Sequence, residues 1–251
     1  MKNLIITITL MVLSLCATTT LWANNEKPFV IPELRHWQGG EGVVNISAAT
    51  KVFYTNAELA DVAEALAEDY GLLFGKAMKA KSAVKGAAGA IVINLVSDEE
   101  LGEEGYSIDI ADQITLNAQT TKGAYWGTRT LLQIMEASKG AHLPKGSIRD
   151  WPDYPMRGFM IDCGRKYIPL DYLERYAKIM AYYKMNTFQI HLNDRAAKKY
   201  EDTWDKTYTA FRLESEQFPE LTAKDGHYGK DEFRQFQKDA AKLHVNVIPE
   251  I

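Results

Sequence analysis

The chain has 251 residues, of which 46% are hydrophobic and 25% are charged, so it carries enough apolar material for a sizeable globular core. Its formal net charge of −4 and its scattered Lys and Arg residues give no basic field, and this excludes a typical nucleic-acid-binding protein. No internal repeat or low-complexity tract is present.

The first 23 residues have the pattern of an export signal. Lys2 supplies a positive charge, an apolar run follows, and Ala23 is a candidate cleavage position. The apolar run is shorter than the roughly 20 residues of a membrane-spanning helix, so export is favoured over an anchor. Cys16 lies in a partial bacterial lipoprotein box, but Leu15 is bulkier than the small residue expected before a lipidated cysteine. We predict an exported protein (periplasmic, secreted or at the cell surface) with no integral membrane segment after signal removal.

Residues 24–150 begin with a polar, proline-containing lead-in up to residue 36 and then alternate short strands with helices. Apolar runs predict strands at three places, which are 43–46, 51–54 and 91–96. The spacing of apolar residues predicts a helix from Glu58 to Phe74, for which Asn56 is an available cap. The stretch Lys76 to Gly89, rich in Lys, Ala and Gly, is predicted to be an exposed loop.

Two segments with alternating polarity, 105–110 and 113–118, predict neighbouring strands of a sheet with one buried face. The short connection Ala111-Asp112 favours a hairpin between them, and a helix opening at Gly123 follows. Residues 24–150 are therefore predicted to form a small α+β domain, in which helices pack on one face of a sheet.

The pattern changes after the segment Ile148 to Pro155, where two prolines within four residues interrupt regular structure. Residues 151–251 then predict strands and helices in strict alternation, with strands at 157–163, 185–192 and 245–251 and helices at about 170–183 and 231–243. This order indicates an α/β fold with a parallel sheet. Three parallel strands leave unpaired edges and bare faces, so the sequence is expected to be truncated.

Arg165 and Asp194 follow the first two of these strands. Because the carboxyl ends of parallel strands gather at one rim, the two side chains are expected to face the same space. A guanidinium presents a rigid fork of donors that suits two adjacent sugar hydroxyls, so the pair is a candidate sugar-binding site. A structural salt bridge of Arg165 with Asp162 or Asp194, and a turn-forming role for Asp194, are the alternatives.

Other polar residues near these strands are weaker candidates. His191 has no partners at a convincing metal-ligand spacing, so we favour a hydrogen-bonded core histidine and predict neither a metal nor an organic cofactor. Glu250 is a weak candidate after the third strand. The long connection Lys198 to His227 contains Trp204, which can stack on a sugar face, although aromatic residues that hold the loop in place are the more common case.

Two longer stretches carry a resemblance to a known family: RGFMIDCGRKYIP, residues 157–169, and MAYYKMNTFQIHLND, residues 180–194. They resemble the opening of the catalytic barrel of glycoside hydrolase family 20, the β-N-acetylhexosaminidases, and residues 28–150 resemble the small α/β domain that precedes it. The resemblance implies that 151–251 holds the first three strands of a truncated (β/α)8 TIM barrel. The sequence departs from the family at two places. Arg195 stands where a second acid is common, and Gln189-Ile190-His191 stands where many members have His-Trp-His.

The resemblance implies roles for two residues. Arg165 matches the family arginine that binds hydroxyls of the terminal sugar at the end far from the scissile bond. Asp194 matches an acidic residue that organises the site through hydrogen bonds. The family's catalytic Asp-Glu pair lies further along the barrel and nothing in this chain matches it, so no catalytic residue is assigned.

The function implied is exo-hydrolysis of terminal β-linked GlcNAc or GalNAc from a glycan by a substrate-assisted retaining mechanism. The chain on its own is predicted to be inactive. One alternative is a non-catalytic, exported glycan-binding protein on the same scaffold. Another is a glycosidase of the same layout that acts on a different amino sugar.

Overall fold

The computed structural model describes residues 24–83, 88–195 and 209–251. Within these ranges, short 3-10 turns lie at Ala57–Leu59, Glu99–Leu101 and Pro219–Leu221. The α-helices are α1 (Ala60–Phe74), α2 (Thr121–Glu136), α3 (Leu170–Tyr182) and α4 (Lys230–Lys242). The strands are β1 (His36–Asn45), β2 (Lys51–Tyr54), β3 (Lys79–Ser82), β4 (Ile91–Leu95), β5 (Tyr106–Ile110), β6 (Ile114–Ala118), β7 (His142–Asp150), β8 (Gly158–Asp162), β9 (Thr187–His191), β10 (Asn193–Arg195), β11 (Thr209–Phe211) and β12 (Asn246–Glu250).

The first seven strands form one mixed sheet in the order β1-β7-β5-β6-β4-β2-β3. Strands β3, β2, β4 and β6 pair in parallel, whereas β6, β5, β7 and β1 pair antiparallel. The predicted hairpin of β5 and β6 is confirmed, with Tyr106 opposite Ala118. Along both strands alternate residues are buried, as the alternating pattern predicts.

Helix α2 packs closely against this sheet. Its N-terminus lies two residues earlier than predicted, because the Thr120 side chain accepts a hydrogen bond from the Gly123 amide and caps the first turn. A Cβ on Gly127 would lie 2.7 Å from Leu116 Cδ1, so a larger residue here would require the buried Leu116 side chain to move. Every residue from Gly123 to Met135 is buried, as expected for a helix covered on all sides.

Two predictions for this region are wrong. The stretch Lys76 to Gly89 is not all loop, because Lys79–Ser82 forms β3 beside β2. Its lysines suit an edge strand, where charge discourages pairing with another chain. The segment from Ile148 to Pro155 is predicted to be irregular, but its first three residues, 148–150, are the end of strand β7. The sequence does not predict β7 because it contains Pro144, which pairs with Val43 of β1 and lies beyond the end of β5, so no ladder bond is lost there.

The second sheet is parallel, as predicted, with the order β12-β9-β8. Helix α3 connects β8 to β9, and α4 precedes β12; the two helices contact each other. Their buried faces carry Leu173 and Met180 from α3 and Phe233 and Phe236 from α4, packed with Phe188 of β9. Directly after β9 the chain forms a small antiparallel ladder of β10 with β11.

A buried polar network joins the two sheets. The Glu104 carboxylate accepts hydrogen bonds from Trp126 Nε1 at 2.9 Å and Asn186 Nδ2 at 3.2 Å, and it pairs with Arg157 and Lys122. Burial raises the pKa of Glu104, but the hydrogen bonds and charges of Arg157 and Lys122 outweigh it and leave the pKa below its usual value. Glu104 is therefore a charged, fully paired group that helps fix one sheet against the other.

A second buried pair lies in the same junction. Lys184 Nζ is 3.2 Å from Asp150 Oδ2 and donates to the Tyr106 hydroxyl at 2.7 Å.

Within the described ranges, none of the helices is long and apolar enough to cross a membrane.

Candidate functional site

The carboxyl ends of the three parallel strands lie in register. Asp162 at the end of β8 is opposite His191 at the end of β9, which is opposite Glu250 at the end of β12. Three polar side chains therefore stand side by side along one rim. This is the rim at which enzymes with parallel α/β folds place their ligands.

The turn after β8 brings Arg165 back to this rim. The amides of Cys163 and Gly164 both donate to the His191 carbonyl, at 3.0 and 2.9 Å, and the Asp162 side chain accepts from the Arg165 amide at 2.9 Å. A Cβ on Gly164 would lie 2.7 Å from the Asp194 amide nitrogen. A glycine at this position therefore lets the two strand ends come close enough for Arg165 to reach Asp194.

The structure brings Arg165 and Asp194 together, as the strand order suggests. Arg165 Nη2 lies 2.7 Å from Asp194 Oδ2, and Nη1 lies 2.5 Å from Asp162 Oδ2. Both salt bridges of the structural alternative are thus present. The Arg165 side chain is nevertheless 54% exposed, so its guanidinium is oriented by two carboxylates while a large part of it faces solvent.

His191 belongs to this rim and is not a core residue, so that interpretation is wrong in part. Its Nε2 lies 2.9 Å from Asp194 Oδ2 and its Nδ1 lies 3.3 Å from Glu250 Oε2, and the side chain is half-buried. The hydrogen bond with Asp194 is the main reason that the pKa of His191 is raised, and the negative charges of Glu250 and Asp162 add to it. Ile190 is buried in the core, and successive side chains of a strand point to opposite faces, so the imidazole of His191 points away from the core that contains Ile190.

Glu250, a weak candidate from sequence, is part of the same cluster. Its Oε2 also accepts a hydrogen bond from Gln189 Nε2 at 2.7 Å. The cluster, which we call the rim cluster, consists of Asp162, Arg165, Gln189, His191, Asp194 and Glu250. It offers donors and acceptors side by side, an arrangement that suits a ligand with several hydroxyls. Among the described residues, no group of three or more His, Cys, Asp or Glu side chains is arranged to hold a metal ion.

Sequence reasoning missed one residue behind the rim cluster, Arg212. Its side chain is only 1% exposed, and it donates to the carbonyls of Cys163 at 2.8 Å and Gly164 at 3.1 Å. No motif or periodicity marks it, because it lies just after β11 in a connection of mixed charge. Trp204, the aromatic candidate of the same connection, lies outside the described residues.

Two family models match the chain. "Glycosyl hydrolase family 20, domain 2" matches residues 27–151, and "Glycosyl hydrolase family 20, catalytic domain" matches residues 154–251. Together they span both sheets and the rim cluster.

Curated relatives share this similarity. A β-hexosaminidase of Akkermansia muciniphila is 31% identical over 169 residues, which are 64% of this chain and 34% of the relative. A lacto-N-biosidase of Bifidobacterium bifidum is 25% identical over 236 residues, which are 93% of this chain and 19% of the relative. The chain thus spans about a third or less of the length of these relatives.

A solved structure has the same fold. A mutant Streptomyces plicatus β-hexosaminidase in complex with the product GlcNAc superposes with a TM-score of 0.78 at 24% identity, covering 91% of this chain and 46% of that one. The similarity shows a shared mixed α/β fold.

Proposed function

Because the chain belongs to glycoside hydrolase family 20, we propose that the protein is an exo-β-N-acetylhexosaminidase, which hydrolyses terminal β-linked GlcNAc or GalNAc from glycans. The observation that carries the proposal is the ion pair of Arg165 with Asp194 at the rim of the parallel strands, inside the segment that matches the family's catalytic domain. The chemistry of the rim cluster suits a neutral, polyhydroxylated ligand.

We propose that residues 151–251 form the first three strands of a (β/α)8 TIM barrel, preceded by a hexosaminidase-like α+β domain over residues 24–150. The spatial order β8, β9, β12 follows the chain order without a reversal. Such an order is typical of a barrel, whereas an open doubly wound sheet reverses direction at a switch point. The match of residues 154–251 to the catalytic-domain model supports the same assignment.

In the proposed site, Arg165 donates to hydroxyls of the terminal sugar at the end far from the scissile bond. Asp194 orients Arg165 and His191 and accepts from a neighbouring hydroxyl. Asp162 holds the other side of the guanidinium, so the fork is fixed before the sugar arrives and loses little freedom on binding. Fixing the sugar at this end orients its anomeric carbon for reaction.

The proposed chemistry is substrate-assisted retention. The 2-acetamido oxygen of the bound sugar attacks the anomeric carbon while an acidic residue protonates the leaving oxygen, which gives an oxazolinium ion that water then opens. Nothing in this chain matches the family's catalytic Asp-Glu pair. The part of residues 24–251 in the reaction is therefore to bind and orient, and the chain alone is proposed to be inactive.

The test compares 4-nitrophenyl N-acetyl-β-glucosaminide with 4-nitrophenyl β-glucoside, using the full-length gene product. We expect hydrolysis of the 2-acetamido substrate and no turnover of the 2-hydroxy analogue, because the analogue lacks the nucleophile. Equal hydrolysis of both would indicate a different glycosidase. Binding of GlcNAc without any hydrolysis would favour the non-catalytic glycan-binding alternative.

A second candidate activity comes from the Bifidobacterium bifidum relative, whose similarity extends over 93% of this chain. Faster release of 4-nitrophenol from 4-nitrophenyl lacto-N-bioside than from 4-nitrophenyl N-acetyl-β-glucosaminide would select this candidate.

We also propose that residues 1–23, which lie outside the described residues, are an export signal. The apolar run after Lys2 and the small residue Ala23 support it. Sequencing the N-terminus of the mature protein tests the proposal, which predicts a start at Asn24. A protein that retains Lys2, or one lipidated at Cys16, would contradict cleavage after Ala23.

A further inference from the structure

We propose that Arg212 is a positioning residue for sugar binding, and that it acts by holding the turn that carries Arg165. The inference rests on the proposed function of the rim cluster and adds a residue that lies behind the site. Arg212 cannot contact a ligand at the rim, because its side chain is 1% exposed.

The hydrogen bonds of the Arg212 guanidinium converge on the turn after β8. Nε donates to the Cys163 carbonyl at 2.8 Å and Nη2 to the Gly164 carbonyl at 3.1 Å. These are the two residues immediately before Arg165. On its other side the guanidinium donates to the Gly226 carbonyl at 2.9 Å and pairs with Asp225 at 2.5 Å. The guanidinium therefore ties the turn to a second, distant loop.

The chain just beyond Arg165 is held by the same loop. The Tyr228 hydroxyl donates to the Ile168 carbonyl at 2.6 Å, and its ring packs on Tyr167 with 5.3 Å between centroids. The Arg212 guanidinium itself lies 5.9 Å from the Tyr167 ring centroid. Backbone anchors thus lie on both sides of Arg165, and the carboxylates of Asp162 and Asp194 pair with its guanidinium.

The backbone of Arg212 also connects to the segment that carries Asp194. Its amide donates to the Leu192 carbonyl at 2.8 Å, and its carbonyl accepts from the Tyr228 amide at 2.7 Å. In the adjoining ladder, Asp194 of β10 lies opposite Ala210 of β11. One residue therefore contacts both strand ends, and its side chain fixes the end with Arg165.

Arg212 is suited to this role by its geometry and not only by its charge. A buried cation is costly unless its donors are paired, and here they reach three carbonyls and one carboxylate. A lysine keeps the charge but cannot span these acceptors with a single ammonium group. Loss of the fork would release the turn before Arg165 while the rim residues themselves stay unchanged.

The experiment is a double-mutant cycle in the full-length protein. Arg212→Lys, Arg165→Ala and the double variant are assayed on 4-nitrophenyl N-acetyl-β-glucosaminide, with thermal unfolding recorded for each. Arg212→Lys is expected to raise KM about tenfold with a smaller change in kcat, since a displaced guanidinium weakens binding. In the Arg165→Ala background the same change is expected to leave KM unaltered, because there is no guanidinium left to position.

Arg129→Lys is the matched control. Arg129 is also buried and paired with a carboxylate, that of Asp69, but it lies between α1 and α2, away from the rim. The Arg129→Lys variant is expected to have a lower unfolding temperature and an unchanged KM. Asp225→Asn is a milder second variant if Arg212→Lys does not fold, because it removes one half-exposed charge and keeps the carbonyl contacts; we expect KM to rise about threefold.

The outcomes separate this inference from the proposed function. If Arg212→Lys behaves like Arg129→Lys, or raises KM equally with and without Arg165, Arg212 is structural only and the inference fails while the proposed function stands. An unchanged KM in the Asp225→Asn variant overturns the inference about Arg212 in the same way. If the unmodified protein does not hydrolyse the 2-acetamido substrate, the proposed function fails and the inference fails with it.

Discussion

The two sheets of the molecule use apolar residues very differently. In the seven-stranded sheet, β4 begins with three buried residues, and α2 is buried along thirteen successive positions from Gly123 to Met135. In the parallel sheet, β8 exposes Phe159 by 41% and Met160 by 51%, and its rim carries the charged cluster around Arg165. The first sheet thus packs against a helix that is buried along most of its length, whereas the rim of the second carries the polar groups suited to chemistry.

The difference shows how the site is supported. Rim residues such as Arg165 and Asp194 are placed by backbone turns and ion pairs. The junction through Glu104 links the parallel sheet to the seven-stranded sheet and its helix α2. Changes in the junction should therefore affect stability, and changes at the rim should affect ligand binding.

The largest expected effect comes from breaking the junction. Glu104→Ala removes the partner of Arg157 and of Trp126 Nε1 and leaves buried donors unpaired, so we expect the free energy of unfolding to fall by about 3–4 kcal/mol. Glu103→Ala is the matched control, because Glu103 is exposed and pairs only at the surface with Lys122; a change within about 0.5 kcal/mol is expected. Urea denaturation measures both. Equal effects of the two changes would show that the junction does not hold the sheets together.

The second effect is on binding and not on stability. Arg165→Lys keeps the charge but loses the planar fork, so kcat/KM of the full-length protein for a β-N-acetylglucosaminide should fall about 100-fold, or about 2.7 kcal/mol. Its unfolding temperature should stay the same, because an exposed ion pair adds little stability. Arg149 of β7 is a partly exposed arginine that pairs with Asp98, away from the rim, so Arg149→Lys should leave kcat/KM unchanged. A loss of activity in both variants would contradict a specific role for Arg165.

A smaller effect is expected at the start of α2. Thr120→Ala removes the cap on the Gly123 amide and the hydrogen bond to the Glu103 carbonyl, so it should destabilise the protein by about 1 kcal/mol. Thr120→Ser keeps the hydroxyl and should restore most of the loss. The free energy of unfolding in urea distinguishes the two variants, and an equal loss in both would show that the cap is not the cause.

The smallest effect concerns pH. The pKa of His191 is raised in the folded protein, mainly by its hydrogen bond with Asp194, so its protonated form stabilises the fold. This stabilisation is complete below the unfolded pKa of about 6.5 and is lost as pH rises through the higher folded pKa. The difference in unfolding free energy between wild type and His191→Gln should therefore shrink as pH rises from about 5.5 to about 8.5. A difference that does not change with pH would mean that His191 does not titrate in this way.

Much of the fold follows from local pattern, and the exceptions have physical reasons. The hairpin of β5 and β6 and the parallel strands β8, β9 and β12 were predictable because polarity alternates in the first two and apolar runs alternate with amphipathic helices in the others. Strand β3 was missed because its lysines suit a solvent-exposed edge. Strand β7 was missed because a proline within a run is a signal against a strand. Pro144 is tolerated in β7 because it lies beyond the end of the neighbouring strand β5.

The site was predictable where strand order alone decides the outcome. Arg165 and Asp194 meet because both follow parallel strands. The hydrogen bonds of His191 with two acids depend on the register of β9 with its neighbours, which the sequence does not specify. Arg212 joins backbone carbonyls about 48 residues away in sequence, and such contacts leave no local pattern.

A crystal structure of the full-length protein with GlcNAc bound tests directly whether Arg165 and Asp194 bind the terminal sugar. We expect the Arg165 guanidinium to lie within about 2.7–3.2 Å of a hydroxyl at the far end of the sugar, with Asp194 still paired to it. A sugar bound away from the carboxyl ends of β8 and β9, with Arg165 contacting only Asp162 and Asp194, would contradict it.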